Sequence, residues 1–397
     1  MEDVIIVGGG PVGFINALGL AQAGARVGII EAEPQIISSP RAAVYFWSVL
    51  EGFERLGILD EAETEGLCKQ DYTYLVRATG ERIEYSMEVL AGHTPHPYNL
   101  HLGQHRLADI AMRRLQSFSN ASVRFGTRLQ MLHQDAGGVT LSVVTERGTE
   151  ELRAKWVIGA DGAASTVRQQ LGLSFDGMTW PERFVATNVY YDFERHGYAR
   201  ATFVIDDRFG AVIAVLNREG LWRCTYMEDA ALPEATFLER LPRAYEELLP
   251  GGGRYLVDRA SPYRMHQRSA GRYRVGRVVL AGDAAHVTNP TGGLGLTSGL
   301  FDSYALYPAL AAIVLEGADD EVLDRYSEAR RSTFVNRASP QAIANKQLVY
   351  HANGGGRQLE DALVGLRRFT TDPESLRQRL MFTKSLETPS LLRTQSQ

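Results

Sequence analysis

Two glycine-rich segments have the residue types and spacing to hold an extended phosphate-bearing ligand. The first, VIIVGGGPVGF, sets Gly8, Gly10 and Gly13 in a G-x-G-x-x-G pattern between the apolar run Val4 to Val7 and a helical pattern through Leu18, Leu20 and Ala21. Glycines so placed allow a tight turn, close approach of backbone amides to a pyrophosphate, and close packing of helix on strand. Pro11 and Val12 open the helix, whose N-terminus faces the phosphates. Glu31, followed by Ala32, ends the next apolar run about 20 residues on, where a carboxylate accepts hydrogen bonds from a ribose diol. The pattern predicts a dinucleotide site and does not choose between FAD and NAD. The second segment, LAGDAAHVTNPTGGLGLTSGL, carries Asp283 after a glycine, then Pro290 and a cluster of glycines leading into a helix. A third motif, GADGAASTVRQQLGL, begins at Gly159.

These three motifs, in this order, resemble those of the class A flavin-dependent monooxygenases, with para-hydroxybenzoate hydroxylase as prototype. The resemblance runs as far as the helical stretch VLDRYSEARR and the region of residue 340. It implies one FAD. Asp283 would accept a ribityl hydroxyl, and Pro290 would shape the turn over the flavin. Gly293 leads to Gly295, Leu296 and Thr297, whose amides would face the flavin N1–C2=O edge, where a helix N-terminus stabilises negative charge. By the same resemblance Arg41 lies near the pyrophosphate, Gln104 on the cofactor and Leu129 at the adenine. Asp161 and Arg168 belong to the motif linked with both FAD and NAD(P)H. Two positions depart from the family pattern: Asn289 stands where a proline is common, and Thr297 where an asparagine is usual.

The implied reaction is hydroxylation of an electron-rich ring, of phenol or hydroxypyridine type and suited to a carboxylate-bearing substrate. NAD(P)H reduces the flavin, O2 adds to give a C4a-hydroperoxide, and its distal oxygen goes to the ring. The acidic Glu33 after the second strand favours NADH over NADPH. Activating the ring calls for a tyrosine or histidine near the substrate oxygen. The candidates in antiparallel segments are Tyr72, Tyr74, Tyr190, Tyr191, Arg223 and Tyr226, with Tyr45 on an early helix. Strand alternation puts Trp222, Cys224 and Tyr226 on one face and Arg223 on the other, so only one of these faces can line a pocket. His286, in DAAH, reads as packing near the flavin loop. Flavin hydroxylases or epoxidases of polyketides or quinones, and a flavin redox protein without oxygenase activity, remain open alternatives. A halogenase is disfavoured, because Trp47, Trp156, Trp180 and Trp222 form no W-x-W-x-I-P signature.

The elements that must position these residues read as an α/β fold. A Rossmann-like, GR2-type FAD-binding domain is expected over 1–70, 98–178 and 267–350. An inserted antiparallel substrate sheet is expected over 71–97 and 179–266, and a C-terminal helical tail over 351–397. RAAVYFWSVLEGFERLGIL reads as one helix, DYTYLVRATGERIEYS as a hairpin turning at Thr79-Gly80, and GAVIAVLNREGLWRCTYM as a hairpin turning at Asn217 to Gly220.

The 397 residues are enough for two domains. With 42 basic and 47 acidic residues the net charge is −5, and the scattered basic residues form no nucleic-acid groove. Cys68 and Cys224 form neither a metal spacing nor a disulfide framework, which favours the cytoplasm and no metal. The longest apolar run, Ala305 to Leu315, contains Pro308 and falls short of the roughly 20 residues of a membrane span. The expected partners are a small aromatic substrate and O2, with a homodimer left open.

Overall fold

A computed structural model describes residues 1–38 and 43–392. Arg41 lies outside the described residues.

The strand Glu2–Val7 is apolar on both faces from Val4 onward, and it sits inside a parallel sheet. On one side it pairs with Val27–Ile30, which pairs with Ala121–Arg124. On the other it pairs with Gly148–Gly159, which pairs with Val278–Leu280. A buried parallel sheet calls for near-continuous apolar runs, and residues 4–7, 27–30, 156–158 and 278–280 supply them. The meander Arg128–Asp135, Gly138–Thr145 and Gly148–Gly159 branches from the same sheet.

The helix Pro11–Ala23 starts with proline at its first turn and ends at Gly24 in the left-handed region (φ 104°). It is buried from Gly13 to Ala21, wedged against the long helix Leu294–Ala311. Only glycine fits at position 19, since a Cβ would come within 2.5 Å of the Tyr307 ring. Asn16 Nδ2 donates to Ser303 Oγ at 2.8 Å across this contact. The long helix continues to Glu316. By length and composition its 23 residues would suffice to cross a membrane, although the shorter run within it is not long enough. Here 72% of its apolar window is buried inside the fold, as in a core helix.

The second sheet runs in the order His286–Val287, Leu256–Ala270, Phe175–Tyr190, Leu221–Asp229, Ala211–Val215, Ala201–Ile205, Asp71–Val76, Glu81–Ser86. Strands from both inserted segments thus share one sheet, joined where Ala201–Ile205 pairs in parallel with Asp71–Val76. One face is covered by the helix Phe237–Leu248, with Trp222, Cys224 and Tyr226 packed against Leu241 and Tyr245. The tail folds as the helices Gly356–Thr371 and Pro373–Met381. Arg367 Nε donates to Glu81 Oε1 at 2.7 Å, tying the tail to the outermost strand.

The single helix expected around residues 41–59 is corrected. Val44–Tyr45 is a short strand paired with Leu100 and His101, and the helix begins only at Trp47. Local periodicity missed this because the partner strand lies more than fifty residues away.

Candidate active site

The two glycine-rich motifs meet in space. A Cβ on Gly8 would strike the Ala160 carbonyl oxygen at 2.3 Å, and one on Gly13 would strike the Gly8 oxygen at 2.0 Å. A Cβ on Gly10 meets nothing within 4 Å, so the space beside that residue is open. The glycines therefore divide into two that pack and one whose Cβ side is open. Glu31 closes the loop from the next strand: Oε2 accepts from the Gly9 amide at 2.6 Å and Oε1 from the Glu33 amide at 2.8 Å. The Thr127 amide donates to the Glu31 carbonyl, which brings the buried Leu129 into the same region, with Ala32 half-buried at the turn.

Val12 is the contact between the motifs. Cβ atoms on Gly282 or Gly299 would lie 2.9 Å from its Cγ2. Gly282 adopts a left-handed turn (φ 61°) directly after the strand Val278–Leu280, and its amide donates to Asp302 Oδ2 at 2.9 Å. This turn leaves Asp283 exposed at the carboxyl end of the parallel sheet, where ligands of open α/β sheets bind. His286 and Val287 then become the edge strand of the second sheet. The motif is the junction of the two sheets.

Pro290 accepts from the Gly293 amide at 3.0 Å, and Gly293 caps the long helix from the left-handed region (φ 65°). The first-turn amides, Gly295 and Leu296 among them, have no carbonyl one turn earlier in the helix to satisfy them. A Cβ on Gly295 would meet only Thr288, at 3.4 Å. The Thr297 hydroxyl donates back to the Gly293 carbonyl at 2.9 Å, so it braces the cap. Asn289 shapes the same loop through its side chain. Its Oδ1 accepts from the Thr291 amide at 3.1 Å, and its Nδ2 donates to Gln267 Oε1 at 3.2 Å. A side-chain turn stands in for the rigidity of a proline.

Asp161 accepts from Ser165 Oγ at 2.5 Å and from the Val167 amide at 3.0 Å, capping the short helix Thr166–Gln170. Burial raises its pKa against these hydrogen bonds. Arg168 donates to the Ala284 carbonyl at 2.9 Å, binding this motif to the turn at Asp283. Gln104 is half-buried at the start of the helix Gln104–Leu115.

His286 is fully buried. Its Nε2 lies 2.7 Å from Asp302 Oδ2, its ring stacks on Phe334, and Arg330 donates to Asp302 Oδ1 at 2.8 Å. Asp302 is buried too, and His286 and Arg330 hold its carboxyl below the usual range despite that burial. This cluster sits under the loop and braces it.

A cavity of about 130 Å³ lies between Pro290–Gly293 and the second sheet. Arg223 lines it, with Tyr263, Phe184 and Phe203. Arg223 Nε donates to Asn188 Oδ1 at 2.8 Å; burial pushes its pKa down to about 10, which leaves it charged at neutral pH. Tyr226 faces away from the cavity, into the packing against Phe237–Leu248. Tyr190 is 39% exposed at the end of its strand, and Tyr191 bonds to the 250–252 turn. Tyr45 is buried against Phe53, while its neighbours Val44 and Phe46 line the cavity. Tyr74 lines an adjoining chamber, stacked on Phe203. Of the proposed pocket residues, then, Arg223 and Tyr72 reach the cavity, Tyr74 its neighbour, and Tyr45, Tyr190, Tyr191 and Tyr226 neither.

The residues overlooked are Asn99 and His101, which join Tyr72. Asn99 Nδ2 donates to Tyr72 Oη at 2.7 Å, Tyr72 Oη lies 3.4 Å from His101 Nε2, and His101 Nδ1 lies 3.2 Å from the Val215 carbonyl. A carbonyl only accepts, so Nδ1 carries the proton and Nε2 accepts from Tyr72. The signal was present: Asn99 and His101 are two apart on one strand and so share a face. Burial pushes His101 down to about 4.

The packed and open glycines, the exposed Asp283 and the unsatisfied helix amides together fit an FAD laid from Glu31 to the cavity. Among the described residues no cluster of metal ligands occurs.

Residues 1–339 match the family described as an FAD binding domain. The chain is 42% identical over 399 residues to para-nitrophenol 4-monooxygenase from Pseudomonas sp. (strain WBC-3), covering 98% of this chain and 99% of that one. It is 42% identical over 388 residues to 6-hydroxy-3-succinoylpyridine 3-monooxygenase HspB from Pseudomonas putida (strain DSM 28022 / S16), covering 98% of each. The crystal structure of p-nitrophenol 4-monooxygenase from Pseudomonas putida DLL-E4 superposes with a TM-score of 0.92 at 41% identity, over 97% of this chain and 98% of that one. The flavin-dependent monooxygenase PieE, solved with FAD and substrate, superposes with a TM-score of 0.79 at 26% identity, over 97% of this chain and 71% of that one. Three motifs packed on one another, and full-length likeness to such enzymes, lead to one conclusion: the chain belongs to the class A flavin-dependent aromatic monooxygenases.

Proposed function

We propose that this enzyme hydroxylates a single-ring phenol or hydroxypyridine carrying an anionic or strongly polar substituent, using NADH and O2 in the cytoplasm. The observation that carries the reading is the cavity at the flavin loop, with Arg223 on one wall and the Tyr72–His101 pair on another. Its volume of about 130 Å³ is close to the ~150 Å³ that takes up a benzene, and far too small for a multi-ring polyketide. Two relatives at 42% identity act, by their names, on para-nitrophenol and on a hydroxypyridine with a succinoyl chain.

When bound, FAD supplies the oxygen chemistry. The chain's residues prepare the ring. Arg223 stabilises negative charge on the substrate within a poorly solvated cavity. Tyr72 donates to His101 and takes one hydrogen bond from Asn99, so a remaining lone pair on its oxygen accepts the ring hydroxyl. As the ring loses its proton to Tyr72, Tyr72 passes its own to His101 Nε2. Burial keeps His101 neutral at rest and makes it a weak base, at a pKa of about 4, so the transfer depends on Arg223 stabilising the ring's anion. The walls of Phe184, Phe203 and Tyr263 exclude water.

NADH is the proposed donor because Glu33 presents a carboxylate beside the nucleotide loop, met among the described residues by Arg128 alone, at 3.8 Å. Comparing kcat/KM for NADH and NADPH tests this, and a strong NADPH preference would sink it. The main test is a panel of phenols and hydroxypyridines, para-nitrophenol included, with the yellow holoenzyme. NADH oxidation should rise sharply with the right ring, and labelled O2 should enter the product. A flavin-loaded enzyme that no ring stimulates would refute the proposal.

A further inference from the structure

Three openings lie in series. A second chamber of about 100 Å³ shares Phe46, Tyr72, Phe203, Thr291 and Gly292 with the cavity at the flavin loop. On its other side it shares Gln341, Asn345, Leu348 and Arg379 with a broad groove open to solvent. The chamber is walled by aromatic rings: Tyr72 stacks on Tyr85 at 5.5 Å, Tyr74 on Phe203 at 5.1 Å, and Phe369 meets Tyr85 edge-on at 6.2 Å. Its far wall, Phe369, Leu380 and Phe382, comes from the C-terminal helices and the turn after them. Those helices are fixed to the body, since Trp47 Nε1 donates to the Leu380 carbonyl at 3.2 Å and Lys384 pairs with Glu51 at 3.0 Å.

Arg379 stands where groove and chamber meet. It is half-buried, and its Nη2 donates to the neutral Asn345 Oδ1 at 3.1 Å. Among the described residues no carboxylate lies within ion-pair distance of Arg379, whereas the groove's Glu182 is met by Lys346 at 3.1 Å. An unneutralised cation at the mouth of an aromatic-walled chamber attracts a planar ring bearing negative charge, through both Coulomb attraction and ring stacking.

We propose that this chamber is a second substrate site, a vestibule in which Arg379 captures an anionic aromatic ring before it passes the Phe46–Tyr72–Phe203 wall to the flavin cavity. This rests on the proposed function above. Binding to the holoenzyme is followed by stopped flow with 4-nitrophenolate at mildly alkaline pH and low salt, with neutral phenol as the comparison ring. Arg379→Ala should slow association of 4-nitrophenolate about tenfold and leave that of phenol within twofold, and high salt should close the gap. In turnover the loss should appear in kcat/KM far more than in kcat, and Arg379→Lys should recover most of it. Leu348→Trp, which narrows the passage without touching the charge, should slow both rings. Wild-type association rates for 4-nitrophenolate in both Arg379→Ala and Leu348→Trp overturn the vestibule while the hydroxylase reading stands. An equal loss for phenol in Arg379→Ala also overturns it. A wild-type holoenzyme that binds and hydroxylates neither ring overturns the function, and the vestibule with it.

Discussion

Tyr72 holds its place through three directional contacts, and each has a consequence. Tyr72→Phe removes the oxygen that accepts the ring proton while keeping the stacked ring. It should lower kcat about a hundredfold for a neutral phenol, the usual scale of a lost proton acceptor. A ring that arrives ionised, such as 4-nitrophenolate, should lose far less. Equal losses for both would refute the relay. His101 adds a pH dependence to stability. Its folded pKa, about 4, lies below the ordinary 6.5, so between those values the unfolded chain binds more protons than the folded one. Stability from this group is fully present above pH 6.5 and is lost as pH falls toward 4, on the order of 3 kcal/mol in all. His101→Gln should flatten this part of a Tm-against-pH curve, and an unchanged slope would show that His101 is not its source.

Among the elements, the glycine motifs were legible because their constraint is local. Gly8, Gly13 and Gly282 each sit where a Cβ would strike a neighbour, and strand–turn–helix patterns announce such places. What hid was non-local. Which face of Leu221–Asp229 meets substrate depends on the side of the sheet that the helix Phe237–Leu248 covers, and alternation alone offered both. Val44–Tyr45 became a strand through residues 100 and 101, and the pocket role of His101 came with it. The long helix shows how an element holds a loop. Asp302 on it ties Gly282, His286 and Arg330, and Arg330 continues to the Leu386 carbonyl at 2.6 Å. Asp302→Asn keeps the size and removes the charge, leaving Arg330 buried without a counter-ion. It should cost about 3 kcal/mol in urea unfolding, with weaker FAD retention. A loss under about 1 kcal/mol would show that the loop does not depend on this charge.

At the scale of the whole molecule, the second sheet, the glycine-rich loop and the tail wall one series of openings. The strands Phe175–Tyr190 and Leu256–Ala270 lie third and second from one edge of the second sheet, next to His286–Val287 of the glycine-rich loop, and pair with each other along nearly their whole length. The tail contributes nothing that a motif would reveal, because Phe369 and Leu380 acquire a role only as a wall against Tyr85 and Trp47. Such coupling means that FAD should stabilise the whole chain and not one domain. At a hundred times its Kd, a ligand specific for the folded state adds about 2.7 kcal/mol. With unfolding entropy near 2.1 cal/mol/K per residue over 397 residues, that raises Tm by about 3 °C. Circular dichroism and flavin release should report the same transition. Asp283→Ala removes a carboxylate at the end of the parallel sheet, so the FAD-induced rise, measured from the variant's own apo Tm, should shrink. A variant that binds FAD fully, with the wild-type rise in Tm, would place the ribityl chain elsewhere, and separate transitions would mean that the shared strands do not unite the two sheets.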